Sequence, residues 1–360
     1  MARAFTVDGP PRVVFGVGTE AQLASELRAT GAERVLLVAQ PHHREGAERV
    51  AAALGDRCVG IFDQVVQHVP ERVAQAAIGS AEATDADSVV AHGGGSPIGV
   101  AKAIALERDV AVGAVPTTYS GSECTDIYGI TGPDGKRTGR DPRVQPRLVV
   151  YDPALTTALP VDLSLQSLLN ALAHSVEALW SAEVTPAARA AAEESLAPLV
   201  QGMKRIHEAP TDLDGRAEAL YGAWLAGTAL NGASMALHHK LAHVLGGTFH
   251  TPHATTHAIL LPYVIGFNGP SAPAAIDAMR RAWGVQDPAT FLSELARELG
   301  VPTSLRDLGL SRADLQTAAD QAVQRRYPNP RPFDREAILG LLETAWEAPP
   351  LSRSASAGSG

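Results

Sequence analysis

The segment S-V-V-A-H-G-G-G-S-P-I-G-V-A-K-A-I-A-L at residues 88–106 settles the class of fold. Residues 88–92 are a short apolar run of strand length, the glycines at 93–95 break it, and residues 96–106 space their apolar side chains as a helix does. A strand that turns through glycines straight into a helix is the repeating step of a parallel sheet with helices on both faces. The step recurs on either side. Residues 34–39 (R-V-L-L-V-A) read as a buried strand, followed by a helix over 47–54, a strand at 58–62, a helix over 70–83 and a further strand at 110–115.

After Asp152 the pattern changes. Ala, Leu and Glu dominate, β-branched runs vanish, and long helices are predicted over 163–182, 186–206 and 216–236, with shorter ones near Ala258, Ala274, Pro288, Ala313 and Arg335. Asp152-Pro153 and Leu159-Pro160 punctuate the junction. The expected architecture is an N-terminal α/β domain with a Rossmann-like parallel sheet over residues 1–155, then an all-α C-terminal domain over 156–348. The low-complexity tail at 349–360 (P-P-L-S-R-S-A-S-A-G-S-G) reads as disordered.

Composition narrows the function. A formal charge of −9, with no run of Lys or Arg, argues against a nucleic-acid partner. The densest basic cluster, Lys136, Arg137, Arg140, Arg143 and Arg147, is interleaved with Gly, Asp and Pro, as in a functional or turn-forming loop. Cys58 and Cys124 have no C-x-x-C spacing, which fits a reducing compartment and excludes a thiolate zinc site. No apolar stretch reaches the roughly 18 residues of a membrane span, and residues 1–11 lack the apolar core of a secretory signal. The expected setting is the cytoplasm, without membrane or nucleic acid.

Glycines at a strand-to-helix turn let the backbone approach a phosphate, and the open N–H groups of the helix N-terminus favour its charge. Gly93, Gly94, Gly95 and Ser96 are therefore candidate cofactor-binding residues, although a tight turn explains such a run about equally well. The following loop, P-T-T-Y-S-G-S at 116–122, brings Thr117, Thr118 and Ser122 to the same sheet edge, where open α/β sheets bind ligands. A G-x-G-x-x-G fingerprint is missing, and the first long strand ends Ala39-Gln40-Pro41 rather than in an acid that would grip a ribose 2′-hydroxyl. NADPH is thus expected to be accepted alongside NADH.

Six of the twelve histidines, His238, His239, His243, His250, His253 and His257, lie between positions 238 and 257. His239 and His243 are four apart and share a helix face, as do Asn170 and His174. Imidazoles so arranged bind a divalent metal or relay protons. A lone helical histidine is more often a structural hydrogen bonder, but several buried titratable groups together are too costly for that reading.

These motifs carry a resemblance. G-G-G-S-x-x-G-x-A-K (93–102), P-T-T-x-x-G-S-E (116–123) and the His-rich run resemble the group III, iron-type alcohol dehydrogenase superfamily, whose fold is shared with dehydroquinate synthase. T-G-R-D-P-R-V-x-P-R-x-V-x-Y-D-P (138–153) and A-L-H-H-K-L-A-H-V-L-G-G-T-F (236–249) with P-H-A-x-T-H (252–257) resemble the maleylacetate reductases within it. Echoes at His68-Val69-Pro70 and Asn329-Pro330-Arg331-Pro332 extend the likeness over nearly the whole chain.

The resemblance implies NAD(P)H-dependent reduction of the C=C bond of maleylacetate to 3-oxoadipate, in aromatic-compound degradation, by a homodimer acting on a small oxo-acid. The superfamily holds its metal on an Asp and three His. The matching positions are Asn170, His174, His239 and His253, so an amide replaces the anionic ligand and catalysis without a metal is expected, with a metal held weakly by the three His as the alternative. His243 is then the candidate proton donor, Lys240 and His239 stabilise negative charge, and His174 and His253 line the pocket. Arg140 and Arg143 are candidates for the substrate carboxylates; pairing with Asp141 and Asp152 to fix a loop is the competing reading. Lys102 resembles a family position near the cofactor. Pro97-Ile98 and Asp126 depart from the maleylacetate reductase pattern of small hydroxyl residues and Pro. The alternatives are an oxidoreductase for another oxo-acid or alcohol, a lyase like dehydroquinate synthase, which Asn170 disfavours, and a non-catalytic ligand-binding relative.

Overall fold

Every side chain of the run Val35–Ala39 is buried, as an interior strand of a parallel sheet requires. The structure, a computed structural model, describes residues 3–7, 11–133 and 135–348, with Lys136 described by its backbone alone. The tail at 349–360, read above as disordered, lies outside the described residues.

The first half contains β1 (Phe5–Val7), β2 (Arg12–Phe15), α1 (Leu23–Ala29), β3 (Val35–Ala39), α2 (Arg44–Leu54), β4 (Cys58–Phe62), α3 (Glu71–Ala83), β5 (Ser88–Gly93), α4 (Gly95–Glu107), β6 (Ala111–Pro116), β7 (Ile127–Gly132), β8 (Gly135–Arg140) and β9 (Leu148–Tyr151). Seven strands form one sheet in the order β1-β2-β9-β6-β5-β3-β4. All its pairings are parallel except β1 with β2 at the edge. Side chains alternate between faces along β3. Val35, Leu37 and Ala39 join α1 and α2 in one core, whereas Leu36 and Val38 face α3, α4 and the large core shared with the helical half.

The second half is helical: α5 (Val161–Trp180), α6 (Pro186–Glu208), α7 (Leu213–Asn231), α8 (Leu237–Phe249), α9 (His253–Asn268), α10 (Pro273–Trp283), α11 (Pro288–Glu298), α12 (Arg312–Val323) and α13 (Arg335–Glu347). Helix α5 is the axis of this half. Residues 168–180 are buried without exception, and α6, α7 and α9 pack around it. No described helix is long and apolar enough to cross a membrane.

The structure corrects the sequence reading in three places. The edge strands β1 and β2, helix α1 and strand β9 belong to the α/β half but were not anticipated. The Gly- and Arg-rich stretch taken as a loop is largely the hairpin β7–β8, which pairs Ile127 with Arg140 and Gly132 with Gly135. The helix expected over 216–236 ends at Asn231, and α8 starts afresh at Leu237. Gly232 caps the end of α7 where no side chain fits: a Cβ there would lie 2.6 Å from the Cβ of Ala188. That break gives α8 its own N-terminus, and the site depends on it.

Candidate active site

Helix α8 begins without a side-chain cap from its own N-cap residue, Ala236. The cap comes from across the core. Glu177, fully buried on α5, accepts from the backbone N–H of Ala236 (3.0 Å), His238 (2.8 Å) and His239 (3.3 Å), and from His239 Nδ1 (2.7 Å). A carboxylate there complements the helix dipole and satisfies otherwise orphaned donors. Burial alone would raise its pKa, but the hydrogen bonds and the neighbouring rings of His239 and His238 outweigh burial and hold it below the usual value. An ionised Glu177 only accepts, so Nδ1 of His239 carries the proton of that bond.

The fold then gathers the histidines. The rings of His174 and His239 stack with centroids 5.1 Å apart, and His239 lies 6.2 Å from His243, one turn further along α8. His253, at the start of α9, lies 6.2 Å from His243 and 4.4 Å from His257. His257 Nδ1 and His238 Nε2 share a proton across 2.8 Å. Burial, with the neighbouring rings adding to it, lowers His174 and His257 well below 6.5. Burial lowers His238 to about 3 against the raising pull of Glu177. These three rings are neutral at physiological pH. His243 and His253 are exposed, and Lys240 is half-buried on the same helix. Asn170 Oδ1, His174 Nδ1 and His239 Nε2 are buried without a hydrogen-bond partner. Each unpaired atom costs roughly 1–3 kcal/mol, a cost that a ligand's polar atoms would relieve.

The two loops expected to bind cofactor lie side by side at the sheet edge. Gly93 adopts φ 143°, open to glycine, and its carbonyl accepts from Thr117 N–H at 3.1 Å. A Cβ on Gly94 would lie 2.9 Å from Thr118 Cγ2, and one on Gly95 3.4 Å from Ser120 Oγ. The N-terminus of α4, with Gly94 as N-cap, has no side-chain cap, and Gly95, Ser96, Thr118, Ser120 and Ser122 around it are half-exposed. Open N–H groups flanked by hydroxyls suit the pyrophosphate of a dinucleotide. Pro97 and Ile98 are buried in the first turn of α4.

The two halves meet at Gly121, which has φ 73°. A Cβ there would lie 3.1 Å from Gly227 Cα on α7 and 3.7 Å from His174 Nδ1. The loop that follows the cofactor turn therefore reaches the histidines directly.

Of the sequence-predicted residues, His174, His239, His243 and His253 come together, as do Gly93, Gly94, Gly95, Ser96, Thr117 and Thr118. Lys102 is fully buried, and its ammonium donates to the carbonyls of Ser122, Thr125 and Ile127, each at 2.7 Å. Arg143 turns outward onto Asp141 at 2.7 Å, and the Asp141 side chain caps the turn by accepting from the Arg143 N–H. Arg140 sits at the junction, 3.4 Å from Asp126 and donating to Asn231 O at 2.8 Å. Asp152 pairs with neither arginine and accepts from the N–H groups of Gly18, Glu20 and Ala154.

Sequence reasoning missed Glu177, whose signal was its place one turn beyond His174 on an apolar helix. It also missed His43 and His92 at the sheet edge. His43 Nε2 lies 3.4 Å from Thr117 Oγ1, and His92 Nε2 lies 2.8 Å from Glu20 Oε1. Burial first, then the neighbouring His42 and His92, lowers His43 to about 4.

The metal implied by the fold finds a poor donor set. Position 170 offers a neutral amide, and the nearby buried carboxylate, Glu177, is committed to α8. Among the described residues no three His, Cys, Asp or Glu side chains are arranged to hold an ion. A dication would find no uncommitted carboxylate there.

The iron-containing alcohol dehydrogenase model matches residues 10–153, and the model for the C-terminal part of that family matches residues 164–346. The chain belongs to the iron-containing alcohol dehydrogenase family. Within it, the maleylacetate reductase of Sphingobium indicum is 47% identical over 344 residues, covering 95% of this chain and 97% of that one. The maleylacetate reductase of Pseudomonas sp. strain P51 is 45% identical over 340 residues, covering 94% and 97%. The crystal structure of maleylacetate reductase from Agrobacterium tumefaciens superposes with a TM-score of 0.92 at 40% identity, covering 97% of this chain and all of that one.

Proposed function

We propose that this protein is an NAD(P)H-dependent maleylacetate reductase that forms 3-oxoadipate. The observation that carries the reading is the approach of Gly121, in the loop beside the cofactor turn, to His174 in the histidine cluster. The identity with named maleylacetate reductases over nearly the full length supports the substrate. When bound, the reduced nicotinamide supplies a hydride.

Maleylacetate is an enone flanked by carboxylates. A hydride added to its alkene carbon pushes an electron pair onto the ketone oxygen, and the resulting enolate takes up one proton at carbon. The oxygen needs donors, and the carbon needs an acid. Lys240 would face the developing negative charge, and so would His239, oriented by Glu177 through Nδ1–H, when its Nε2 also carries a proton. His243, exposed beside them, would deliver the proton. Arg140, at the junction of the two halves, is the better placed arginine for a carboxylate, because Arg143 is turned away. The cation–donor set does the polarising, so no step runs through a metal.

The test is oxidation of NADH and of NADPH with fresh maleylacetate, before and after dialysis against a chelator. Turnover unchanged by chelation is the expected result. Activity lost on dialysis and restored by Fe²⁺ or Zn²⁺ would overturn the metal-free reading, and no turnover with either nucleotide would overturn the substrate.

A further inference from the structure

Lys102 is an ammonium buried to zero exposure in the middle of α4. Burying such a charge is costly unless its protons are satisfied. Here they are, and all by one short segment: the carbonyls of Ser122, Thr125 and Ile127 at 2.7 Å and Thr125 Oγ1 at 3.0 Å. Burial pushes the pKa of Lys102 down to about 7, against the attraction of Glu123 and Asp126. The segment contains the single turn Ser122–Cys124, which has no side-chain cap.

The other end of the same loop is held by a second buried cation. Arg216 on α7 is fully buried, and its guanidinium donates to Tyr119 Oη at 3.2 Å, Ser164 Oγ at 2.8 Å and the carbonyls of Pro210 and Leu159. Ser120 and Gly121 lie between the two anchors. Ser120 faces the glycine turn, and Gly121 faces Gly227 and His174.

We propose that Lys102 is a positioning residue: by gripping the backbone at 122–127 it fixes the loop that sets the cofactor turn against the histidine cluster. This rests on reading residues 116–122 as a cofactor loop. The ammonium of Lys102 is committed to the loop's own oxygens, so it acts through the loop. Removing its donors takes a partner from three carbonyls, of which Ser122 O keeps only the N–H and hydroxyl of Thr125, and loosens the loop's distal end, while the Arg216 anchor remains.

The experiment is direct titration of the intact protein with NADH, followed by nicotinamide fluorescence, together with steady-state kinetics well below the melting midpoint. Lys102→Met, which keeps the side chain's length and loses its donors, is expected to weaken NADH binding at least tenfold. KM for NADH should rise in parallel, while KM for maleylacetate changes less than twofold. Lys102→Gln, whose amide still donates, should fall between the two, threefold or more weaker than wild type. A merely structural lysine would lower the melting midpoint and leave the NADH constants within twofold, and that result overturns the proposal. If Lys102→Met does not fold, Lys102→Gln decides on the same threshold. Failure of the wild-type protein to bind NADH would instead remove the cofactor-loop reading itself.

Discussion

Glu177 satisfies three backbone donors and one imidazole with its two oxygens. An amide in its place could accept with one atom only, and its NH₂ would face the donors it replaced. Glu177→Gln is therefore expected to misorient His239 and to cut kcat about 10–100-fold, in the range seen when the partner of a functional histidine is removed. Stability should also drop by roughly 1.5–3 kcal/mol, the value of hydrogen bonds to a charged group. Steady-state kinetics and urea denaturation check both, and a kcat within twofold of wild type would refute the orienting role. The histidines themselves were legible in the sequence because their spacing is local to two helices. Glu177 was less so. An acid in an apolar helix announces a partner without saying where it lies, and its partner is more than fifty residues away.

At the scale of elements, the loop after β6 and helix α7 come close together. Gly227 allows it: a Cβ there would sit 2.7 Å from Cys124 Sγ and 3.0 Å from Gly121 Cα. Gly227→Ala must displace the loop or the helix. Overpacking of this kind typically costs about 1–3 kcal/mol, and the shift should raise KM for NADH severalfold. Thermal denaturation and KM measured together test this; an unchanged KM would mean that the helix, not the loop, gives way. The parallel strands around β5 were readable because apolar runs alternate with helices. The hairpin β7–β8 was not, since its Gly, Lys and Arg residues carry little strand signal. The split between α7 and α8 was also hidden, because the close fit of Gly232 against Ala188 is a tertiary contact.

Across the whole molecule, buried neutral histidine makes the protein sensitive to acid. His43 has its pKa lowered to about 4 in the folded state, against an ordinary value near 6.5. Between those limits the unfolded chain binds more protons than the folded one, so stability is at its fullest above pH 6.5 and is lost as pH falls toward 4. Glu177, held below its ordinary value, adds to the loss at still lower pH. Urea midpoints should decline steadily from pH 7 to pH 4.5, and His43→Asn should flatten that slope. A wild-type slope identical to that of the variant would show that His43 does not contribute. The clamp on the loop was the least legible feature at this scale. Lys102 and Arg216 are ordinary cations on helices, and only the tertiary structure shows that both are buried and close on one segment.

Lys102 holds main-chain oxygens almost exclusively, and every amino acid supplies those. Substitution at positions 122 and 124 therefore leaves the held atoms in place. The loop's chemistry is free to drift over evolutionary time while its address in the fold stays fixed.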